Sequence, residues 1–177
     1  IGCDAWISND ADRDKPARLL LLCQSYSGYL LLCRLLSRAY RENQHRGRAE
    51  IRKAWLNQNE SGTDGLIALS GAQLGDVGLA LMQNNQVQAQ ALAQEWAALF
   101  PGRFYIEVQR AGHAHEEGCV QRSLTLASAL ELPVVATHPV QFLSADDYKA
   151  HEARVCIAEG YVLGDRRRPK HFTEQQY

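Results

Sequence analysis

His138 is the first residue in this chain that could do chemistry. It follows the apolar run 132–137 (LPVVAT), and the carboxyl end of a buried strand is where β/α architectures place metal or acid–base groups. A lone loop imidazole more often makes a single hydrogen bond. His113-Ala114-His115 offers a second ligand pair, since H-x-H on a strand sends both rings to one face, but the pair lies in a loop beside Gly112, Glu116 and Glu117. Asp4, after Ile1-Gly2-Cys3 and at a strand end, is on sequence alone one surface carboxylate among twenty acids. Gly71-Ala72-Gln73-Leu74-Gly75-Asp76 lies between a strand and a helix, as phosphate-cradling loops do. It lacks the Lys-Ser/Thr of a P-loop and the G-x-G-x-x-G spacing.

His151-Glu152-x-Arg154 could supply a base and a phosphate-binding cation. With no nucleophile or metal partner nearby, it reads instead as a helix-face salt bridge or a tie to a neighbouring element, and no catalytic residue is assigned. Arg166, Arg167, Arg168 and Lys170 form the one dense basic cluster, and they are candidate phosphate-backbone or inter-domain contacts.

These residues need a scaffold, and the chain alternates strand and helix patterns. Residues 18–23 (RLLLLC) read as a buried strand and 29–40 as a helix with Leu30, Leu31, Cys33, Leu35, Leu36 and Ala39 at spacings that repeat on one face. Residues 44–50 read as a charged turn, 51–56 as a helix, 65–70 as a strand and 75–81 as a short helix with Asp76 in its first turn. Residues 86–99 form an amphipathic helix carrying Val87, Ala91, Ala93, Trp96, Ala97 and Leu99, broken by Pro101-Gly102. Residues 103–109 alternate as a strand should, 118–130 are helical, 132–137 are the next strand, and 145–160 are a helix with Ser144 as N-cap and Gly160 as stop. This order implies parallel strands with crossovers, in an open sheet or a barrel.

A length of 177 residues, 46% of them hydrophobic, suits one globular domain with a real core. A net charge of −1 gives no overall electrostatic case for nucleic-acid binding, which leaves only local contacts. The five cysteines have no C-x-x-C spacing and read as reduced thiols in a cytoplasmic setting, with Cys23 and Cys33 as small core residues. No apolar run approaches a membrane span. A start at Ile1 and a polar finish at Tyr177 suggest an internal piece of something longer.

The stretch 132–160 (LPVVATHPVQFLSADDYKAHEARVCIAEG) resembles the polymerase-and-histidinol-phosphatase (PHP) domain of bacterial replicative DNA polymerase III alpha subunits. So do RLLLLCQSYSGYLLLCRLLSRAY, GLIALSGAQLGDVG and RFYIEVQRAGHAHEE, in the same order, so the resemblance covers essentially the whole chain. It implies a partial, distorted β/α barrel: a single partial domain over 1–177, the later two-thirds of the PHP unit, without its first strands and without the polymerase palm and fingers. Where the family reads Asn-Asp-x-His after the Ala-Thr step, this chain has His138, Pro139, Val140 and Gln141. The metal-binding Asp and His are thus replaced, His138 falls on a non-ligand neighbour, and Asp4 occupies a vestigial ligand position. In the histidine loop the family usually reads Arg-Thr-Gly-Arg-Pro-x-Glu-Glu; Arg110, Gly112, Glu116 and Glu117 match and both histidines are substitutions.

For LSGAQLGDVG the family likeness implies glycines used for a tight turn and close helix packing. For the parent protein it implies DNA-templated DNA synthesis with Mg²⁺ at a palm outside this chain. This segment would be a structural and docking domain with no cofactor of its own. Its implied partners are the rest of the alpha subunit, the proofreading exonuclease subunit and, through the parent, DNA. The competing expectation is a metal-dependent phosphoesterase or nuclease on the same barrel.

Overall fold

The computed structural model describes residues 1–114 and 116–177. The chain opens with β1 (Gly2–Ile7), a polar loop and β2 (Ala17–Cys23), which pair antiparallel with Trp6 opposite Arg18 and Asp4 opposite Leu20. α1 (Tyr26–Glu42) follows. Ser25 caps it by accepting from the Gly28 N–H, and Leu31, Leu32, Leu35 and Ala39 are its buried stripe. β3 (Gln44–His45) and β4 (Arg48–Ile51) make a small hairpin, β5 (Leu66–Leu69) follows a 3₁₀ turn at Lys53–Leu56, and α2 (Asp76–Met82) and α3 (Gln86–Leu99) come next. The chain then runs through β6 (Phe104–Gln109), α4 (Glu116–Ala129), β7 (Val134–Thr137) and α5 (Tyr148–Glu159).

The described strands form one seven-stranded sheet in the order β3-β4-β1-β2-β5-β6-β7. The fold is α/β, in keeping with a partial distorted barrel of the PHP type. An all-parallel arrangement is not what forms. β1, β2 and β5 run as an antiparallel series, whereas β5, β6 and β7 are parallel, each step crossing over through helices. Helix α1 leaves from the carboxyl end of β2, and residues 43–65, with β3, β4 and the 3₁₀ turn, bring the chain back there, where the Gln24 N–H bonds to the Gly65 carbonyl at 2.8 Å and β5 sets off antiparallel to β2.

Several local expectations are corrected. Residues 44–50 are not a plain turn: Arg46 and Gly47 both take positive φ (49° and 79°), the geometry of a tight hairpin, and β4 buries Glu50 against Arg13 and Arg48. Residues 51–56 hold a strand end and a 3₁₀ turn, not an α-helix. Asp4 lies within β1, not at its end, and Cys33 is exposed with Cys23 only half-buried. At the other end, Ser144 caps as expected. Its hydroxyl and N–H engage Asp147 in a capping box, and Gly160 (φ 75°) closes α5 in the left-handed region.

The glycine block acts as a turn. Gly71 has φ 77° and donates its N–H to Glu107 Oε2 at 3.0 Å. Cβ atoms on Gly75 and Gly78 would lie 1.7 Å from the Ser70 carbonyl and 1.8 Å from that of Ala72. α2 and α3 pack on this turn through Trp96, whose indole N–H donates to both oxygens of Asp76 at 2.9 and 3.0 Å. The main core joins Leu19 and Leu21 of β2, Leu35 of α1, Leu66 of β5, Ile106 of β6 and Trp96 with Phe100.

Candidate functional site

The carboxyl ends of β6 and β7 open onto a cleft of about 900 Å³, lined among others by Asp4, Arg18, Glu107, His113, His138 and Lys170. Strand pleat explains who faces it. Asp4 sits opposite Leu20 and Arg18 opposite Trp6, so their side chains emerge as diagonal neighbours on one face. Arg18 forks onto the Asp4 carboxylate and stacks 4.4 Å above the Trp6 ring. An Asp held by a guanidinium has its lone pairs and its charge compensated, which works against ligation of a cation.

Glu107, on β6, is the buried carboxylate of the cleft, 4% exposed. It accepts from the Gly71 N–H, from Gln109 Nε2 at 3.0 Å and from the Thr137 hydroxyl. These bonds tie the β5 turn to β7, and they occupy the oxygens with neutral donors. Sequence reasoning passed over Glu107 and Arg18. The only signal for either was an acid in an otherwise apolar-facing strand and a cation at the start of another.

His138 takes the single-bond role. Its Nε2 is 2.7 Å from the Gln175 carbonyl, so the proton is on that nitrogen. Pro139 presents only its carbonyl, which accepts from Gln176 Nε2 at 3.1 Å, and the Gln141 N–H donates to the Gln176 carbonyl at 2.8 Å. His113 lines the cleft, while His115 lies outside the described residues. In the same loop, Glu116 caps by accepting from the N–H groups of Ala111 and Gly112 at 2.8–2.9 Å. Arg110 forks onto Glu117 at 2.9 and 3.0 Å, and with Gln121 it holds that carboxyl down at about 2. Among the described residues, no group of three or more His, Cys, Asp and Glu side chains is arranged to hold a metal ion.

The His151-Glu152-x-Arg154 trio is structural. Glu152 pairs bidentately with Arg168, at 2.9 Å for one arm, and both side chains are 11% exposed. The Arg168 hydrogen bonds are the main cause of a lowered Glu152 carboxyl, ahead of the opposing effect of burial. The basic cluster is therefore divided. Arg168 is spent on Glu152 and Arg167 is forked onto Asp165, while Arg166 and Lys170 are exposed. Arg168→Ala should destabilise the chain by about 2 kcal/mol, because it strands a largely buried carboxylate. Arg167→Ala should change stability by less than about 0.5 kcal/mol. Urea melts of the two variants check the contrast.

A model of the PHP domain family matches residues 1–111. The chain belongs to the PHP domain family. Its relatives include proteins named DNA polymerase III subunit alpha from Neisseria meningitidis serogroup A (47% identical over 176 residues, 98% of this chain), Pseudomonas aeruginosa (40% over 176, 99%) and Escherichia coli K12 (35% over 177, 100%). The chain spans about 15% of the length of each. In this PHP domain the glycine turn borders the cleft, and Pro139 and Gln141 lie on the cleft wall. Among the described residues, no helix is long and apolar enough to cross a membrane.

Proposed function

We propose that this chain is a segment of the alpha subunit of a bacterial replicative DNA polymerase III, a DNA-directed DNA polymerase of the cytoplasm. The observation that carries this reading is the unbroken similarity to proteins of that name, 35–47% identical across 98–100% of the chain. Template-directed synthesis, with its Mg²⁺ ions, would belong to parts of the parent outside these 177 residues. The segment is one partial domain, its earlier PHP strands lying outside it, and it is a structural and docking unit without a metal of its own. Three features support that. Asp4 is neutralised by Arg18, Pro139 has no side-chain donor, and the backbone around Gln141 is bonded to the residue 172–176 segment. The residues present do not fit the family's metal cluster, and no step is routed through one.

The partners on this reading are the rest of the alpha subunit, the proofreading exonuclease subunit and DNA. Arg166 and Lys170 are the exposed cations offered to a phosphate backbone or a neighbouring domain, Arg167 joining them only on leaving Asp165 and Arg168 contributing only through its pair with Glu152. Elemental analysis of the complete subunit, with its palm site disabled, is expected to find no stoichiometric zinc, manganese or iron and no phosphodiester hydrolysis. Pulldown of the exonuclease by the same subunit is expected to succeed. Stoichiometric metal with hydrolysis would favour the PHP phosphoesterase reading instead, and a failed pulldown would remove the docking role.

A further inference from the structure

Residues 172–176 lie as a strap across the loops that follow β6 and β7. Thr173 Oγ1 donates to the Ala111 carbonyl, and the Thr173 N–H is turned onto Gln176 Oε1 at 2.8 Å. The Gln176 side chain, 3% exposed, donates to Pro139, while its carbonyl accepts from the N–H groups of Gln141 at 2.8 Å and Phe142 at 3.3 Å. His138 holds the Gln175 carbonyl. The positions that depart from the family's ligand pattern thus serve as a receptor for the chain's own backbone. Lys170, His171, Phe172 and Gln176 form one wall of the cleft, so the strap sets its shape.

Three titratable side chains hold the strap: His138 on the Gln175 carbonyl, the Tyr148 hydroxyl on the Phe172 carbonyl at 3.4 Å, and His151, which is buried with one ring nitrogen unpartnered among the described residues. Phe172 packs edge-on against His151 of α5, ring centres 4.6 Å apart at 90°, and Phe142 closes the other side at 5.5 Å. His151 is buried. Its Nδ1 lies 3.3 Å from Arg154 Nη2, and since a guanidinium only donates, Nδ1 is the acceptor and the proton is on Nε2. Nε2 is buried with no hydrogen-bond partner among the described residues. A second proton would have to enter at Nδ1, facing Arg154, inside an apolar socket.

The charged groups around the socket relieve this only in part. On α5, Glu152 favours the second proton, but less than burial and Arg154 oppose it, and it is paired with Arg168. From the strap side, Lys170 acts on Glu152, Glu174 acts on Tyr148, and His171 pairs with Glu159 at 3.3 Å. Phe142 brings no charge.

We propose that residues 172–176 are a latch over the cleft that opens when His151 takes up a proton. Protonated His151 leaves for water, Phe172 loses its socket, and the hydrogen bonds of Gln176 to the β7–α5 loop break. Burial, then Arg154, lowers the His151 pKa from its ordinary value of 6.5. The closed latch therefore has its full stability above that value and loses it as pH falls below, by at most about tenfold in the opening equilibrium per pH unit for one proton.

Amide hydrogen exchange of the chain, referenced to unfolded-state rates, reads this at Gln141 and Phe142. Protection there is expected to fall by up to about tenfold between about pH 7.5 and about pH 5.5, while core strand amides keep theirs. His151→Phe should abolish the pH response. Arg154→Gln, at an exposed side chain, should weaken it if the phenylalanine variant does not fold. Equal protection at both pH values, or an unchanged response in both variants, would overturn the latch.

Discussion

Gly75→Ala is expected to destabilise the chain by about 3 kcal/mol or more, although the new residue adds a single methyl. The backbone at Gly75 (φ −79°, ψ 160°) is open to any amino acid, so the cost does not come from conformation. It comes from space. The added Cβ would stand 1.7 Å from the Ser70 carbonyl oxygen and 3.1 Å from that of Arg18. Neither is a flexible side-chain end. Ser70 is fixed by its N–H to Tyr105 at 3.0 Å and by its hydroxyl, which accepts from the Glu107 N–H at 2.9 Å, so moving it breaks the β5–β6 seam. The control is Gly164→Ala, where a Cβ meets nothing within 4 Å, and the variant should lie within about 0.5 kcal/mol of the parent. Urea denaturation of both, with equal m-values, measures the difference. A loss below about 1 kcal/mol for Gly75→Ala would mean that the turn relaxes at little cost and does not brace the cleft.

That glycine turn was legible through the family likeness; the residues alone, a strand, a glycine pair at short spacing and an acid opening a helix, suggested a phosphate-cradling loop without its signature. The limits of α3 were legible too, at residues 86–99, but its inner face only in part: Ala93 and Trp96 were named and Ala89 was not. Apolar residues surround this helix, and the packed ones are Trp96 with Ala89 and Ala93, small residues that admit α2 closely, whereas Val87 is 82% exposed. Periodicity could not choose between alanine stripes. The hairpin at 44–51 was missed because its strands are charged and its turn is set by positive φ at Arg46, a residue with no turn signature. Strand sense was missed because pattern alone does not report it; between β2 and β5 the chain runs through α1, the β3–β4 hairpin and a 3₁₀ turn, and that added passage reverses the sense a single helical crossover would give.

The site divides along the same line. His138, Pro139 and Gln141 were singled out from one stretch, and their departure from the family's ligand pattern was visible as letters. What fills their place was not, since the Gln175 and Gln176 contacts span some 37 residues of sequence and run largely through backbone atoms. Glu107 is a similar case. Its partners Gly71, Gln109 and Thr137 come from three separate strand ends, and only the assembled sheet brings them to one carboxylate. Backbone-mediated, long-range hydrogen bonding leaves little trace in composition or spacing.

Trp96→Ala is expected to cost about 4 kcal/mol, and Trp96→Phe about 1–2 kcal/mol, and the gap between them separates packing from the indole N–H. Trp96 is 1% exposed and stacks against Phe104 and Phe100, with ring centres 6.5 and 6.3 Å away. Alanine leaves a cavity between α3 and β6 that these rings fill only partly. Phenylalanine keeps most of that contact but removes the donor to Asp76, which then keeps Lys53 at 3.2 Å and the Val77 N–H at 2.8 Å. Lys53 also lies 4.3 Å over the indole, so the aromatic face, the cation and the acid form one unit whose parts should not add. A double-mutant cycle of Trp96→Phe with Asp76→Asn reads that coupling. Because Asp76 opens α2 directly after the glycine turn, and Gly71, Gln73 and Leu74 line the cleft, the loss should also reach the cleft wall. Hydrogen exchange at Leu74 and Gly75, whose amides bond to the Gly71 carbonyl at 3.0 Å, should accelerate in Trp96→Ala beyond the global change in stability. Exchange there that merely follows global unfolding would make the tryptophan a core residue with no hold on the cleft.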